Sequence, residues 1–219
     1  MQLNRQEFDA RYANGTLHIA FIGMSNIGKS YTASRLKAAY DFDLIEVDSL
    51  IWEKLGHNSM DELAKWQGQP YEPGYAEREA RSLALETQAT LDAVHQATRA
   101  NPAANTLIDT AGSVIYTDPL ALKALRAQCF IVHINANAED IERLKSDYFT
   151  NPKPLVWAGH FKAQDGLSDQ ENILASYPDL LAARAKRYTE LADATLESRF
   201  ILDPGITAER IFDALRPSF

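Results

Sequence analysis

Short apolar runs recur along this chain, separated by longer stretches in which apolar residues return every three or four positions. The runs are Leu17-His18-Ile19-Ala20-Phe21-Ile22, Leu44-Ile45-Glu46-Val47, Thr106-Leu107-Ile108, Cys129-Phe130-Ile131-Val132-His133-Ile134 and Phe200-Ile201-Leu202. Each predicts a buried strand. Helices are predicted over 31–37, through segments from 49 to about 100, and over 120–126, 138–148, 179–192 and 208–215. Residues 1–14 read as a short polar helix, an N-terminal extension that ends near Asn14-Gly15.

Five strands alternating with helices predict βαβ units, hence an α/β fold in which a parallel sheet carries helices on both faces, three layers in all. Residues 1–219 then form a single domain. Ligands of such sheets bind beyond the carboxyl ends of the strands, so chemistry is sought just after each run. The segment at about 149–177 breaks the rhythm with Pro152, Pro154, Gly159 and Gly166. A connection of that length in a compact domain is a lid or a disordered segment.

Composition narrows the function. The 219 residues are 46% apolar, ample for one core. Thirty acidic side chains against 22 basic ones give a net charge of −8, and no Lys/Arg run offsets it, which argues against a nucleic-acid partner. Cys129 is the lone cysteine, so neither an intramolecular disulfide nor a cysteine metal cluster can form. His18, His57, His95, His133 and His160 show no metal-ligand spacing, and His133 reads as a core or strand-end residue. No apolar leader and no membrane-length apolar run are present, so a soluble cytoplasmic protein without a membrane partner is expected, monomeric or homodimeric.

The candidate chemistry begins at Gly23-Met24-Ser25-Asn26-Ile27-Gly28-Lys29-Ser30, a match to the phosphate-binding pattern G-x-x-x-x-G-K-[ST]. It follows a predicted strand and opens a predicted helix. The glycines permit a tight turn whose N–H groups face an anion, and the helix N-terminus adds its positive dipole end. Gly23, Ser25, Asn26, Ile27, Gly28, Lys29, Ser30 and Tyr31 are the expected nucleotide-binding set, with Lys29 on the outer phosphates and the Ser30 hydroxyl on Mg²⁺.

Carboxylates follow the next two strands. Glu46 and Asp48 would share one side of a continuing strand, suited to Mg²⁺ or to an acceptor hydroxyl. Asp48 as a mere N-cap of the next helix is the competing reading. Asp109 closes an apolar strand as a Mg²⁺-binding carboxylate does in P-loop enzymes. The string Asp109-Thr110-Ala111-Gly112 also resembles a GTPase element, but the guanine-specifying N-K-x-D is missing, since Asn135-Ala136-Asn137-Ala138 lacks its lysine and aspartate.

In order, these motifs resemble the shikimate kinase family of P-loop kinases from about Thr16 to the C-terminus. Glu46-Val47-Asp48 stands at the family's D-x-D, Ala111-Gly112-Ser113 at its triple glycine and Arg143 at its adenine-covering arginine. Lys153-Pro154-Leu155 stands at its lid R-P-L. Arg184 to Asp193 follows its R-x-x-x-Y-x-x-x-A-D helix, and the tail from Asp203 to Leu215 also follows its pattern. The resemblance implies a sheet of order 2-3-1-4-5, ATP and Mg²⁺ as cofactors, and transfer of the γ-phosphate to a hydroxyl of a small metabolite. It assigns Asp48 to the acceptor hydroxyl, Lys153 to the transferring phosphate, and Gly112 and Arg184 to acceptor binding, with Glu46 and Ser30 around the metal; Asp109, where the family usually has a small or apolar residue, is extra and joins the metal set by its strand-end position alone, and the lid is followed by a longer insertion around 157–175.

The departures cluster on the acceptor side. The family's F-R-x-x-E aligns with Tyr75-Ala76-Glu77-Arg78-Glu79, placing Ala76 where an arginine grips the shikimate carboxylate; Arg78, or Arg81, would have to compensate. Loss of such a contact costs several kcal/mol. The expectation is a kinase for an acidic or polyhydroxylated metabolite other than shikimate. The alternatives are a catalytically silent ATP-binding regulator and a nucleoside or nucleotide kinase.

Overall fold

The computed structural model describes residues 2–56, 59–99, 103–150 and 153–218; His57 and Pro152 lie outside them. Among the described residues one parallel sheet has five strands: β1 (His18–Ile22), β2 (Asp43–Glu46), β3 (Thr106–Asp109), β4 (Phe130–Asn135) and β5 (Ala194–Glu197). Their order is β2-β3-β1-β4-β5, as the resemblance implies. All of β1 is buried, the result of a continuous apolar run placed at the centre of a sheet covered on both faces. The helices are α1 (Arg5–Ala13), α2 (Lys29–Ala39), α3 (Val47–Leu55), α4 (Met60–Gln67), α5 (Tyr75–Thr98) and α6 (Pro119–Gln128). They continue with α7 (Ala138–Thr150), α8 (Asp169–Leu191), α9 (Ser198–Ile201) and α10 (Ala208–Leu215). None is long and apolar enough to cross a membrane.

The residues predicted as an extension form α1, which is docked rather than appended. Asn4 and Glu7 close a capping box, and Phe8 is fully buried, its ring 5.5 Å from Phe130 and 5.9 Å from Phe212.

Three predicted boundaries move. The last strand is Ala194–Glu197, not 200–202; Phe200 and Ile201 lie in α9. Asp193 sets this start, because its N–H donates to the Ile131 carbonyl and its carboxylate accepts from Ile131 N–H. Pro178 does not precede a helix but lies within α8, on its exposed side, while Ile173, Tyr177, Leu180, Leu181 and Tyr188 bury the opposite face. That burial outweighs the roughly 3 kcal/mol a proline costs inside a helix. The irregular segment therefore ends at Ser168, the N-cap of α8, and is shorter than 149–177. Finally, β2 stops at Glu46 and Val47 opens α3, so Asp48 sits in a helical first turn and not two positions along a strand from Glu46.

Candidate active site

The phosphate loop joins β1 to α2 at the carboxyl edge of the sheet. Gly23 has φ +146°, and a Cβ there would lie 2.7 Å from the Ile134 carbonyl oxygen, so only glycine lets the loop pass β4 so closely. Asn26 adopts a left-handed conformation, Ile27 is buried beneath the loop, and Gly28 caps α2. Lys29 is buried, its Nζ donating to the carbonyls of Gly23 (3.2 Å) and Met24 (3.0 Å). Tyr31 is exposed, under the Arg35 guanidinium. Arg143 of α7 reaches the loop by donating to the Asn26 carbonyl at 3.1 Å and is held by Asp140.

Register aligns Phe21, Asp109 and Glu46 across β1, β3 and β2, so both carboxylates stand beside the loop. Asp109 is buried and bonded to Ser30, and its Oδ1 has no partner among the described residues. Burial pushes its carboxyl up, opposed by Lys29 and by the Ser30 hydrogen bond. A buried orphan carboxylate oxygen beside a hydroxyl, at the phosphate loop, is a donor set suited to Mg²⁺ shared with phosphates. Glu46 is exposed.

One cleft gathers Ser25, Asn26, Lys29, Ser30, Asp48, Asp109 and Lys153. Asp48 is half-buried there, and desolvation raises its carboxyl to about 6; Lys29 and Lys153 pull it down, while Asp109 and Glu46 push it up. The segment carrying Lys153 is folded down onto α4 and α5. Gln67 and Tyr75 donate to the Leu155 carbonyl, and Glu79 accepts from Trp157 and Ala158 N–H. Trp157 is buried among Tyr148, Phe161 and Tyr177.

The acceptor side departs from expectation at several positions. Ala76 is exposed, and Arg78 does not enter the cleft: it braces the turn before α5 by donating to the carbonyls of Gln67 and Pro73 and pairing with Glu72. Arg81 stacks on Trp66 outside it. Arg184 is buried, its terminal nitrogens bonded to the carbonyls of Gly112 (3.1 Å) and Val156 (2.8 Å) rather than standing free. Gly112 lies close against the phosphate loop, where a Cβ would come 2.7 Å from Ser25 Oγ and 3.2 Å from Ser25 N. His133 is the core residue expected, buried and lowered to about 4 by desolvation.

Sequence reasoning missed Glu86. It is buried on α5, Ser113 donates to its Oε2, and desolvation raises it to about 8, with Asp48 adding to the rise and Ser113, Arg184 and Lys29 opposing it. Its only sequence signal is its place on the α5 face that also carries Ser82, Ala89, Thr90 and Ala93. The raised value means the folded protein holds this proton more tightly than the unfolded chain. Stability is then greatest below the unfolded value of 4.5 and falls as pH rises to about 8. Glu86→Gln should match the parent in urea denaturation near pH 4.5 and exceed it at pH 8.5 by on the order of 2–4 kcal/mol.

No family model matches this chain. It is similar to the shikimate kinase of Xanthomonas oryzae pv. oryzae, 26% identical over 199 residues, which span 90% of this chain and 92% of that one. In fold it is similar to a shikimate kinase from Acinetobacter baumannii solved with shikimate, at TM-score 0.57 and 20% identity over 91% of this chain and 90% of the other. A sugar kinase from a Janibacter species superposes at TM-score 0.50 and 18% identity, covering 93% and 96%.

Proposed function

We infer that this chain, which belongs with the shikimate kinase-like P-loop kinases, transfers the γ-phosphate of ATP to a hydroxyl of a small metabolite other than shikimate. The observation that carries this reading is the cleft itself, where the phosphate-loop groups Lys29 and Ser30 meet a half-buried carboxylate, Asp48, and a lid cation, Lys153.

Lys29 and the loop N–H groups bind the phosphates, and Arg143 flanks them on the nucleotide side. Ser30 and Asp109 would hold Mg²⁺, with Glu46 reaching it through water; the ion supplies charge neutralisation on the phosphate oxygens when bound. Asp48 orients the acceptor hydroxyl and takes its proton. A carboxyl raised to about 6 is ionised at neutral pH yet more basic than an ordinary aspartate, which suits a general base. Lys153 offsets the charge on the transferring group, and closure of its segment over the cleft excludes water. Shikimate is disfavoured because Ala76 and Arg78 offer its carboxylate nothing in the cleft.

A screen for ADP release with MgATP and hydroxy acids, polyols, sugars and nucleosides tests the reading. Acceptor-dependent release with at least one class, and background release with shikimate, is expected. MgATP binding with no release for any class would overturn the kinase in favour of a silent regulator.

A further inference from the structure

Leu155 to Ala158, which follow closely on the lid cation Lys153, are tied to the body of the protein at every position. Gln67 donates to the Leu155 carbonyl at 2.7 Å, and Arg184 donates to the Val156 carbonyl at 2.8 Å. Glu79 Oε1 accepts from both Trp157 N–H (2.6 Å) and Ala158 N–H (3.1 Å). The Tyr75 hydroxyl, with one hydrogen to give, has the Leu155 carbonyl (2.6 Å) and Glu79 Oε1 (2.8 Å) within reach. Two successive N–H groups turned onto one anion form a nest, and Ala158 closes it in a left-handed conformation (φ +49°) that alanine rarely adopts. Behind the nest the Trp157 indole is buried among Tyr148, Phe161 and Tyr177.

Lys153-Pro154 runs directly into this anchor. Proline fixes its own φ and restricts the residue before it to extended backbone, so the two form a stiff arm. Both residues line the cleft that holds Lys29, Ser30, Asp48 and Asp109. The Lys153 ammonium makes no hydrogen bond or ion pair among the described residues, so its aim is set by the backbone it hangs from. A cation helps phosphoryl transfer only where charge develops, and a displacement of about 1 Å costs about 10²-fold.

We propose that Glu79 is the positioning residue of the lid cation: by gripping the Trp157 and Ala158 amides from α5 it fixes the arm that aims Lys153 into the phosphate cleft. The catalytic half of this assignment rests on the kinase reading.

Two readouts test it. The first needs no acceptor: acetylation of Lys153 by sulfosuccinimidyl acetate is followed by peptide mass spectrometry, with and without Mg²⁺ and adenylyl imidodiphosphate. In the parent, nucleotide is expected to protect Lys153. Glu79→Ala is expected to bind the nucleotide as the parent does in calorimetry yet lose that protection, because water entering the vacated space satisfies the two amides without tying them to α5. Glu79→Gln, whose carbonyl oxygen still accepts from both, keeps it. Tyr75→Phe, which retains the buried ring and removes one tie to Leu155, loses part of it and serves where Glu79→Ala folds poorly. The second readout is ADP release with the acceptor found by the screen above. Glu79→Ala is expected to lower kcat by about 30-fold with the KM for MgATP within a few-fold, and Glu79→Gln to restore most of it. In a Lys153→Met background Glu79→Ala costs nothing further, since the group it aims is already gone. Kinetic losses that multiply with Lys153→Met, no protection of Lys153 in the parent, or equal protection in Glu79→Ala overturn the proposal, whatever the melting temperatures. Turnover in the parent with full protection and full kcat in Glu79→Ala sinks this inference and leaves the kinase standing. Protection lost in Glu79→Ala, with no ADP release from the parent for any acceptor, sinks the kinase and leaves Glu79 as the residue that aims Lys153.

Discussion

Asp48→Asn is expected to lower kcat by about 10³-fold while leaving the affinity for MgATP within a few-fold. Asparagine keeps the shape of the side chain and a hydrogen bond to the acceptor hydroxyl but cannot take its proton. The parent should also lose kcat/KM as pH falls through about 6, since the carboxylate is the working form and burial has raised it from 3.8 to that value. Stability runs the other way. A carboxyl raised in the folded state stabilises most below its unfolded value and progressively less as pH rises through 3.8 to about 6. Asp48→Asn should thus match the parent near pH 3.5 and be the more stable protein at pH 7. A slower but more stable variant is the signature of a group held out of water for its chemistry. Full activity in Asp48→Asn would remove the base role.

What the sequence disclosed depended on how locally each feature is determined. The phosphate loop was legible because its chemistry fixes residue types within eight consecutive positions, and the structure places them between β1 and α2. β1 and β4 were legible because a central strand buried on both faces has to be apolar almost throughout. β5 was misplaced for the converse reason: it is an edge strand, and Ala194, Thr195 and Glu197 remain partly exposed, so it carries no apolar run. The apolar pair Phe200-Ile201 belongs to a helical turn after it. Val47 ended a predicted strand but opens a helix, which altered the geometry of Asp48 without removing it from the cleft.

The acceptor side was least legible because its residues act through tertiary contacts. A short motif can be aligned one helical turn or more from its structural counterpart, and Tyr75 and Glu79, matched to an acceptor motif, instead latch the segment at Leu155–Ala158. Glu86 belongs to no motif in the sequence. It is buried by contact with a turn 27 residues away, a pairing that no periodicity announces. The resemblance assigned Arg184 to the acceptor, while the carbonyls that occupy its terminal nitrogens belong to Gly112 and Val156, on two other segments.

At Lys29 the effect reaches both halves of the reaction. Lys29→Ala is expected to reduce kcat/KM for MgATP by about 10³-fold, because under the proposed function it removes the cation that meets the outer phosphates. The same side chain lowers the carboxyls of both Asp48 and Asp109. Without it, the acid limb of the residual activity should move above pH 6, since Asp48 then keeps its proton to higher pH. A purely structural role would not shift that limb. Lys29 also ties the carbonyls of Gly23 and Met24, so some loss of activity in the alanine variant could come from a loosened loop. Lys29→Met, which keeps the buried stem but no charge, separates the two. If charge is what matters, both variants lose turnover and shift the limb equally, whatever their melting temperatures. A methionine variant with the parent's turnover and pH profile would show that Lys29 braces the loop and does no more.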